Sequence, residues 1–124
     1  MLISEHEMAA FRATLRRREA TEAAARLACR ERGWVVARQA SELLRRRFGA
    51  SKVVAFGSLV DEGGVWFDRT SDIDLAAWDV PAGDYFQAVA QLQDLSTEFS
   101  IDLVAMDHCP ERLAASISGG TELP

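Results

Sequence analysis

The chain has 124 residues, of which 48% are hydrophobic and 27% are charged, and its formal net charge is −5 at pH 7. This length suits one domain with a single core, and the composition is typical of a soluble globular protein. No run of about eighteen apolar residues is present, so no membrane span is predicted, and the N-terminus lacks the basic-then-apolar order of a signal peptide.

The two cysteines, Cys29 and Cys109, have no CxxC spacing and no histidine cluster near them. This pattern predicts free thiols in a reducing cytosol, although the sequence leaves a disulfide between them open. We therefore expect a cytoplasmic protein.

The charge is unevenly distributed. Residues 1–50 carry eleven arginines and six glutamates, whereas residues 51–124 carry three basic and thirteen acidic side chains. Because the arginines alternate with glutamates and lack interleaved aromatic residues, they indicate a solvated helical face or a protein-contact surface rather than a nucleic-acid site. The acidic second half suits a metal-dependent site and argues against nonspecific DNA binding.

The first segment, from about Ser4 to Phe48, is predicted to be helical because it is rich in Ala, Arg, Glu and Leu and lacks proline. Ser4 and Glu7 match a capping box at its start, and Gly49 fits its end. Gly33 either divides the segment into two helices or kinks a single one, and the sequence leaves both open.

The part of this segment before about residue 33 has too few large apolar residues for a deeply buried helix. We predict one domain over residues 1–124, in which residues 1–33 are a helical extension and residues 34–118 are the core. The extension either lies along the domain or meets a partner.

A short apolar run from Val53 to Phe56 predicts a buried strand that stops at Gly57 and Ser58. Glycine lets the backbone turn sharply and approach a ligand, and serine adds a hydroxyl and an N–H group. A strand that ends in this way is a candidate phosphate cradle, but most Gly-Ser pairs are ordinary turns.

Three aspartates occur in two later strands. Asp72 and Asp74 lie two residues apart in a predicted strand that runs to Trp78, so their side chains share one face. Asp102 interrupts a second apolar strand, where an unpaired buried carboxylate would be costly. Carboxylates grouped in this way suit Mg²⁺ or Mn²⁺. A solvated edge strand with surface aspartates is the alternative.

The segments around these strands complete the predicted order. Residues 59–70 are a loop or short helix, in which Trp66 and Phe67 either stack on a nucleotide base or bridge into the next strand. Arg69 is a candidate to offset the aspartates or to contact a phosphate. Helices are predicted over residues 84–99 and 111–117, before a Gly119-Gly120 tail. Strand–helix–strand order implies an α/β fold with all three aspartates on one sheet.

The ordered set of Gly57-Ser58, Asp72-x-Asp74 and Asp102 resembles the DNA polymerase β-like nucleotidyltransferase superfamily, and within it the minimal nucleotidyltransferase (MNT) family. The resemblance covers roughly residues 34–118. It implies an α/β (α+β) fold with a small mixed β-sheet and helices packed on it, similar to a polymerase β palm, preceded here by a long N-terminal helical segment. It also favours the bridging role for Trp66 and Phe67, buried or partly buried.

The activity that the resemblance implies is metal-dependent transfer of AMP from ATP, or of another NMP from its triphosphate, to a hydroxyl group. Asp72, Asp74 and Asp102 would be catalytic and would bind Mg²⁺ or Mn²⁺. Gly57 and Ser58 would hold the phosphates, with Arg69 as a further candidate for nucleotide binding.

The acceptor that the family suggests is a tyrosine of a helical HEPN-type toxin, so the chain would be an antitoxin enzyme. Asp61 and Glu62 stand where family members often carry an arginine, which favours a non-catalytic antitoxin that neutralises its partner by occlusion. The three aspartates favour the enzyme. An ordinary α/β scaffold with incidental aspartates is a third reading, and a homo-oligomer is left open.

Overall fold

Three helices and four strands follow one another along the chain in the computed structural model, which describes residues 2–124. Short 3₁₀ turns connect several of them. In chain order the elements are α1 (Glu5–Phe48), β1 (Lys52–Phe56), β2 (Ile73–Trp78), α2 (Tyr85–Gln93), β3 (Ile101–Ala105), α3 (Glu111–Ser118) and β4 (Thr121–Leu123).

The four strands form one mixed sheet in the order β3-β2-β1-β4. β1 is antiparallel to both β2 and β4, while β2 and β3 are parallel and are connected through α2. A parallel pair needs a crossover connection of this kind, usually a helix. The predicted fold class, a small mixed sheet with packed helices after a long N-terminal helix, is therefore confirmed.

The two faces of the sheet are covered unequally. One face, with Val53 and Leu75 among its side chains, packs against α1 and α2 and forms the main core. On the opposite face, Val54 and Phe56 pack against Ile117 of α3 in a much smaller cluster. This second face carries the candidate site described below.

Helix α1 is a single helix of 44 residues. The Ser4 hydroxyl accepts a hydrogen bond from the Glu7 N–H at 3.1 Å, and Gly49 ends the helix with a φ of 74°. Burial begins at Cys29, whereas residues 5–27 are exposed except for half-buried Ala13. We call residues 5–27 the arm.

Gly33 is the reason that α1 can lie close to the body at this point. A Cβ atom placed on Gly33 would come within 2.7 Å of Cε1 of the fully buried Phe67 ring and 3.1 Å of Leu59. The helix continues through Gly33, so the glycine makes space for a ring that is distant in the sequence.

We therefore expect Gly33→Ala to destabilise the protein although alanine is the better helix former. The gain in helix propensity is about 1 kcal/mol, but crowding against Phe67 should lower the free energy of unfolding by about 1–2 kcal/mol net. Urea unfolding followed by circular dichroism measures this change. Adding Phe67→Leu should recover part of the loss, and an unchanged or higher stability of Gly33→Ala alone would contradict the packing argument.

Helix α2 is shorter than predicted and ends at Gln93, not near residue 99. The Ser96 hydroxyl accepts hydrogen bonds from the N–H groups of Glu98 and Phe99, both at 3.1 Å, and this side-chain turn replaces further helical bonds. Phe99 is thereby placed in the core beside Phe67, with ring centroids 5.2 Å apart.

The predicted Gly119-Gly120 tail leads into a strand that the sequence pattern did not indicate. β4 pairs with β1, with Leu123 opposite Val53. Its end is attached to α1, because Arg45 Nη2 donates to the Leu123 carbonyl at 2.7 Å and the Ser41 hydroxyl donates to the Pro124 carbonyl at 2.8 Å.

Both cysteines are free thiols, as predicted, with Cys29 buried and Cys109 half-buried. Burial raises the pKa of the Cys29 thiol. Within residues 2–124 none of the helices combines the length and apolar character needed to cross a membrane.

Candidate metal and nucleotide site

Asp74 and Asp102 lie on one face of the sheet, as the alternation of side chains predicts, whereas Asp72 lies just outside the sheet. Asp74 of β2 is directly opposite Asp102 in the parallel register of β3. Asp74 is two residues before Ala76 in β2, so both side chains face the same side of the sheet. Ala76 belongs to the cluster that packs against α3, and Asp102, paired with Asp74, faces that side too. Asp72 immediately precedes β2, and its negative charge raises the pKa of both Asp74 and Asp102.

Crowding of these carboxylates changes their acidity. Burial, followed by the negative charges of Asp102, Asp72 and Asp61, raises the pKa of half-buried Asp74 to about 6. The pKa of Asp102 is also raised, first by burial and then by the negative charge of Asp72. The protein thus holds negative charges together at a free-energy cost that a cation would reduce.

Gly57 brings the main chain against this group of carboxylates. Its φ is 76°, a left-handed conformation that side chains disfavour, and a Cβ atom there would overlap the Asp74 carboxylate. The chain turns here in a 3₁₀ turn closed by a 3.0 Å hydrogen bond from the Val60 N–H to the Gly57 carbonyl. The Gly57-Ser58 turn and Asp74 therefore form one compact unit.

A cavity of about 410 Å³ adjoins Asp74 and Asp102 at the β3 edge. Tyr85 and Gln93 of α2 line it, and both cap the edge strand: Tyr85 donates to the Leu103 carbonyl at 2.8 Å and Gln93 to the Ile101 carbonyl at 2.6 Å. The sequence prediction did not include these two residues. Their spacing of eight, which places them on one side of a helix, was the only signal for them.

The chemistry of these side chains suits a hard divalent cation. Among residues 2–124, no three His, Cys, Asp or Glu side chains are close enough to enclose an ion as they are placed. Asp72, Asp74 and Asp102 nevertheless provide carboxylate oxygens, the donors that Mg²⁺ and Mn²⁺ prefer, and their mutual repulsion is relieved by positive charge. The donor set therefore fits either metal.

Neither protein-family models nor curated proteins match the chain. The function proposed below is therefore based on the site and its motif.

Arg69 does not join the carboxylates. It lines a separate cavity of about 370 Å³ with Cys29 and Arg32. There its positive charge acts to lower the pKa of the Cys29 thiol, against the larger effect of burial. The charges that shift the pKa of Asp74 are all carboxylates. The Asp68 carboxylate accepts from the Thr70 N–H at 2.8 Å, which turns the loop just before β2. A phosphate contact of Arg69 stays a prediction.

Trp66 and Phe67, the aromatic pair in the loop before β2, differ in burial. Phe67 is fully buried, as expected, because it fills the space at Gly33. The expectation of at least partial burial is wrong for Trp66, which is 71% exposed and donates from Nε1 to Glu62 at 2.6 Å. This local hydrogen bond holds the indole at the surface.

The raised pKa of Asp74 predicts how pH affects the metal-free protein. Its folded pKa is about 6 against an ordinary value of 3.8, so the unfolded chain loses this proton first and stability falls as pH rises from about 4 to about 6. Asp74→Asn should therefore raise the melting temperature by a few degrees at pH 7.5 in EDTA, with little change near pH 4. The matched control is Glu31→Gln on the exposed surface of α1. Equal gains from Asp74→Asn at both pH values would contradict the assignment.

Proposed function

We propose that this protein is a metal-dependent nucleotidyltransferase that moves AMP from ATP, or NMP from another triphosphate, to a hydroxyl acceptor. The observation that carries the proposal is the pairing of Asp74 with Asp102 on one face of the sheet, where the charge of Asp72 acts on both and the glycine turn at Gly57 lies against Asp74. A structural role alone gives no reason to hold three like charges together, since doing so costs stability.

Each residue has a defined role in this reaction. Asp72 and Asp74 would hold Mg²⁺ or Mn²⁺, with Asp102 shared between ion and acceptor. When bound, the metal supplies charge neutralisation at the phosphates and lowers the pKa of the acceptor hydroxyl. The N–H groups of Gly57 and Ser58 hold the β- and γ-phosphates, which fixes the α-phosphate near Asp102.

The transfer itself is a displacement at phosphorus. The acceptor oxygen forms a bond to the α-phosphorus, the bond to the bridging oxygen breaks, and pyrophosphate leaves with the electron pair. Asp102 accepts the proton of the acceptor hydroxyl.

The acceptor is, on the motif resemblance, a tyrosine of a HEPN-type toxin, so the protein acts as an antitoxin. Support from the molecule is the open cavity beside Asp74 and Asp102, which leaves room for a side chain presented by another protein. The test is intact mass of a co-produced HEPN-type protein after incubation with ATP and Mg²⁺. An AMP-sized increase supports the proposal. If the partner mass stays unchanged while its activity is suppressed, the proposal fails.

One observation favours a second function, neutralisation by occlusion without catalysis. The negative charge of Asp61 acts on Asp74, at the position where a triphosphate would need positive charge. A nucleotide would then bind weakly, and the protein would silence its partner through contact alone. Suppression that is independent of ATP and of Mg²⁺ is the expected result for this alternative.

A further inference from the structure

The arm presents an apolar stripe with nothing covering it in the described chain. Met8, Phe11 and Leu15 are 36%, 58% and 38% exposed. Their spacing of three and four places them on one side of α1, the side on which Cys29 and Gly33 later face the core. The helix therefore continues its core-facing side beyond the body into solvent.

The same part of the arm is strongly basic. Arg12, Arg16, Arg17 and Arg18 lie within two turns, and no acidic residue occurs between Arg12 and Arg18. Two such arms laid side by side in parallel register would bring these arginines together, since the nearest glutamates of the arm lie outside residues 8–18. Charge repulsion therefore disfavours parallel pairing of one arm with another and favours an acidic surface as the counterpart.

The chain carries an apolar groove with acidic surroundings. This groove, about 410 Å³, runs between α2, β3 and α3 and is lined by Phe86, Tyr85, Leu103, Leu113 and Asp107 among others. Phe86 is 84% exposed and belongs to this apolar lining, and a contiguous exposed apolar surface can mark an interaction site. Asp107 lines the groove itself. Asp79, Asp84 and Glu111 directly adjoin lining residues in the chain, as does Arg112, the one arginine in these positions.

We propose that the arm of one copy lies in the groove of a second copy, reciprocally, so that two chains form a closed dimer. Met8, Phe11 and Leu15 would cover Phe86 and the apolar lining, and Arg12 and Arg16 would face Asp107 and its acidic neighbours. An amphipathic helix in an apolar groove is a common recognition mode, and opposite charges fix its register. Reciprocal exchange closes the assembly, which a one-way contact would not.

The arm has the dimensions for this contact. Residues 5–27 extend about 35 Å at 1.5 Å per residue, comparable to the diameter of a small domain. The arm continues a helix whose later half is packed, so its helical form needs no covering surface, but its apolar side chains stay exposed without one. The dimer does not depend on nucleotidyl transfer, but the groove shares Tyr85, Leu103, Val104 and Leu113 with the cavity beside Asp74 and Asp102, so a docked arm would restrict access to that cavity.

Sedimentation velocity of the full chain over a wide concentration range tests the proposal. We expect a species with twice the 13.7 kDa mass of the chain. Phe11→Asp with Leu15→Asp, and separately Phe86→Asp, should each raise the dissociation constant at least about tenfold. All three side chains are exposed, so the folded body should persist. Val35→Asp, at another exposed apolar position of α1, is the control and should leave the dimer unchanged.

Mixing the two variants identifies the contact. The Phe86→Asp chain has an intact arm and the Phe11→Asp/Leu15→Asp chain has an intact groove, so one arm–groove contact is possible only between them. The mixture should associate more strongly than either variant alone. A monomer at all concentrations, a dimer lost with the arm variant but not with Phe86→Asp, or no rescue on mixing would each overturn the proposal. Occupation of the arm only by a different protein would appear as the first of these outcomes.

Discussion

Asp74→Asn is expected to lower the rate of AMP transfer by at least about 100-fold while leaving the protein folded and bound to its partner. The amide preserves the shape of the side chain but removes the charge that would hold the metal. Because this substitution should stabilise the metal-free protein at neutral pH, a loss of transfer cannot be assigned to unfolding. The measurement is the rate at which the partner gains the mass of AMP.

Asp61→Asn is the informative comparison for this experiment. The negative charge of Asp61 contributes to the raised pKa of Asp74. Asp61 is not one of the three carboxylates assigned to metal binding. Removing the charge should reduce repulsion of the triphosphate and so lower the KM for ATP. This change would favour transfer, whereas Asp74→Asn should slow it. If Asp74→Asn suppresses the partner as well as the parent protein does and the partner is never modified, the enzyme assignment is wrong and occlusion is right.

Gly57→Ala should also abolish transfer, through geometry rather than charge. Alanine in a left-handed conformation costs about 1 kcal/mol or more, and its methyl group would displace the Asp74 carboxylate. We expect at least about a 100-fold loss of rate, since a small displacement of a catalytic group has effects of that order, together with a lower melting temperature.

Gly49→Ala provides a matched control for this substitution. Gly49 has nearly the same φ, 74°, but a Cβ atom there meets nothing within 4 Å. It should show the backbone strain alone, with transfer retained. The stability cost of Gly57→Ala should shrink when Asp74 is also replaced by alanine. Equal effects of Gly57→Ala and Gly49→Ala on stability and on rate would refute the close contact with Asp74.

The arrangement of the carboxylates was predictable because it depends on local periodicity. Residues two apart on a strand share a face, and a strand–helix–strand connection places neighbouring strands in one sheet. These two rules place Asp74 and Asp102 together without knowledge of the remaining packing, whereas Asp72 precedes β2 and lies outside the alternation. The start of α1 at Ser4 and its end at Gly49 were likewise predictable from capping residues.

Features that depend on distant partners were not predictable. Gly33 lies within the continuous helix α1 and makes space for the ring of Phe67, thirty-four positions later. No local sequence pattern encodes that contact. β4 has three residues after two glycines, too few to show alternation, and its pairing with β1 is a tertiary effect. Ser96 ended α2 early by a side-chain turn. Arg69 is near the aspartates in sequence but faces another cavity.

Because α1 is one unbroken helix, the direction in which each side chain of the arm points is fixed relative to the sheet. Each helical residue adds 1.5 Å and about 100° of rotation. One residue inserted into the arm would therefore swing everything before it by more than a quarter turn, and Phe11 would face a new direction although the body was untouched. Seven inserted residues would nearly restore the original direction about 10 Å further out. Length changes in this segment therefore preserve the direction of the apolar side chains only when they approach whole turns, and every such change also alters their distance from the body.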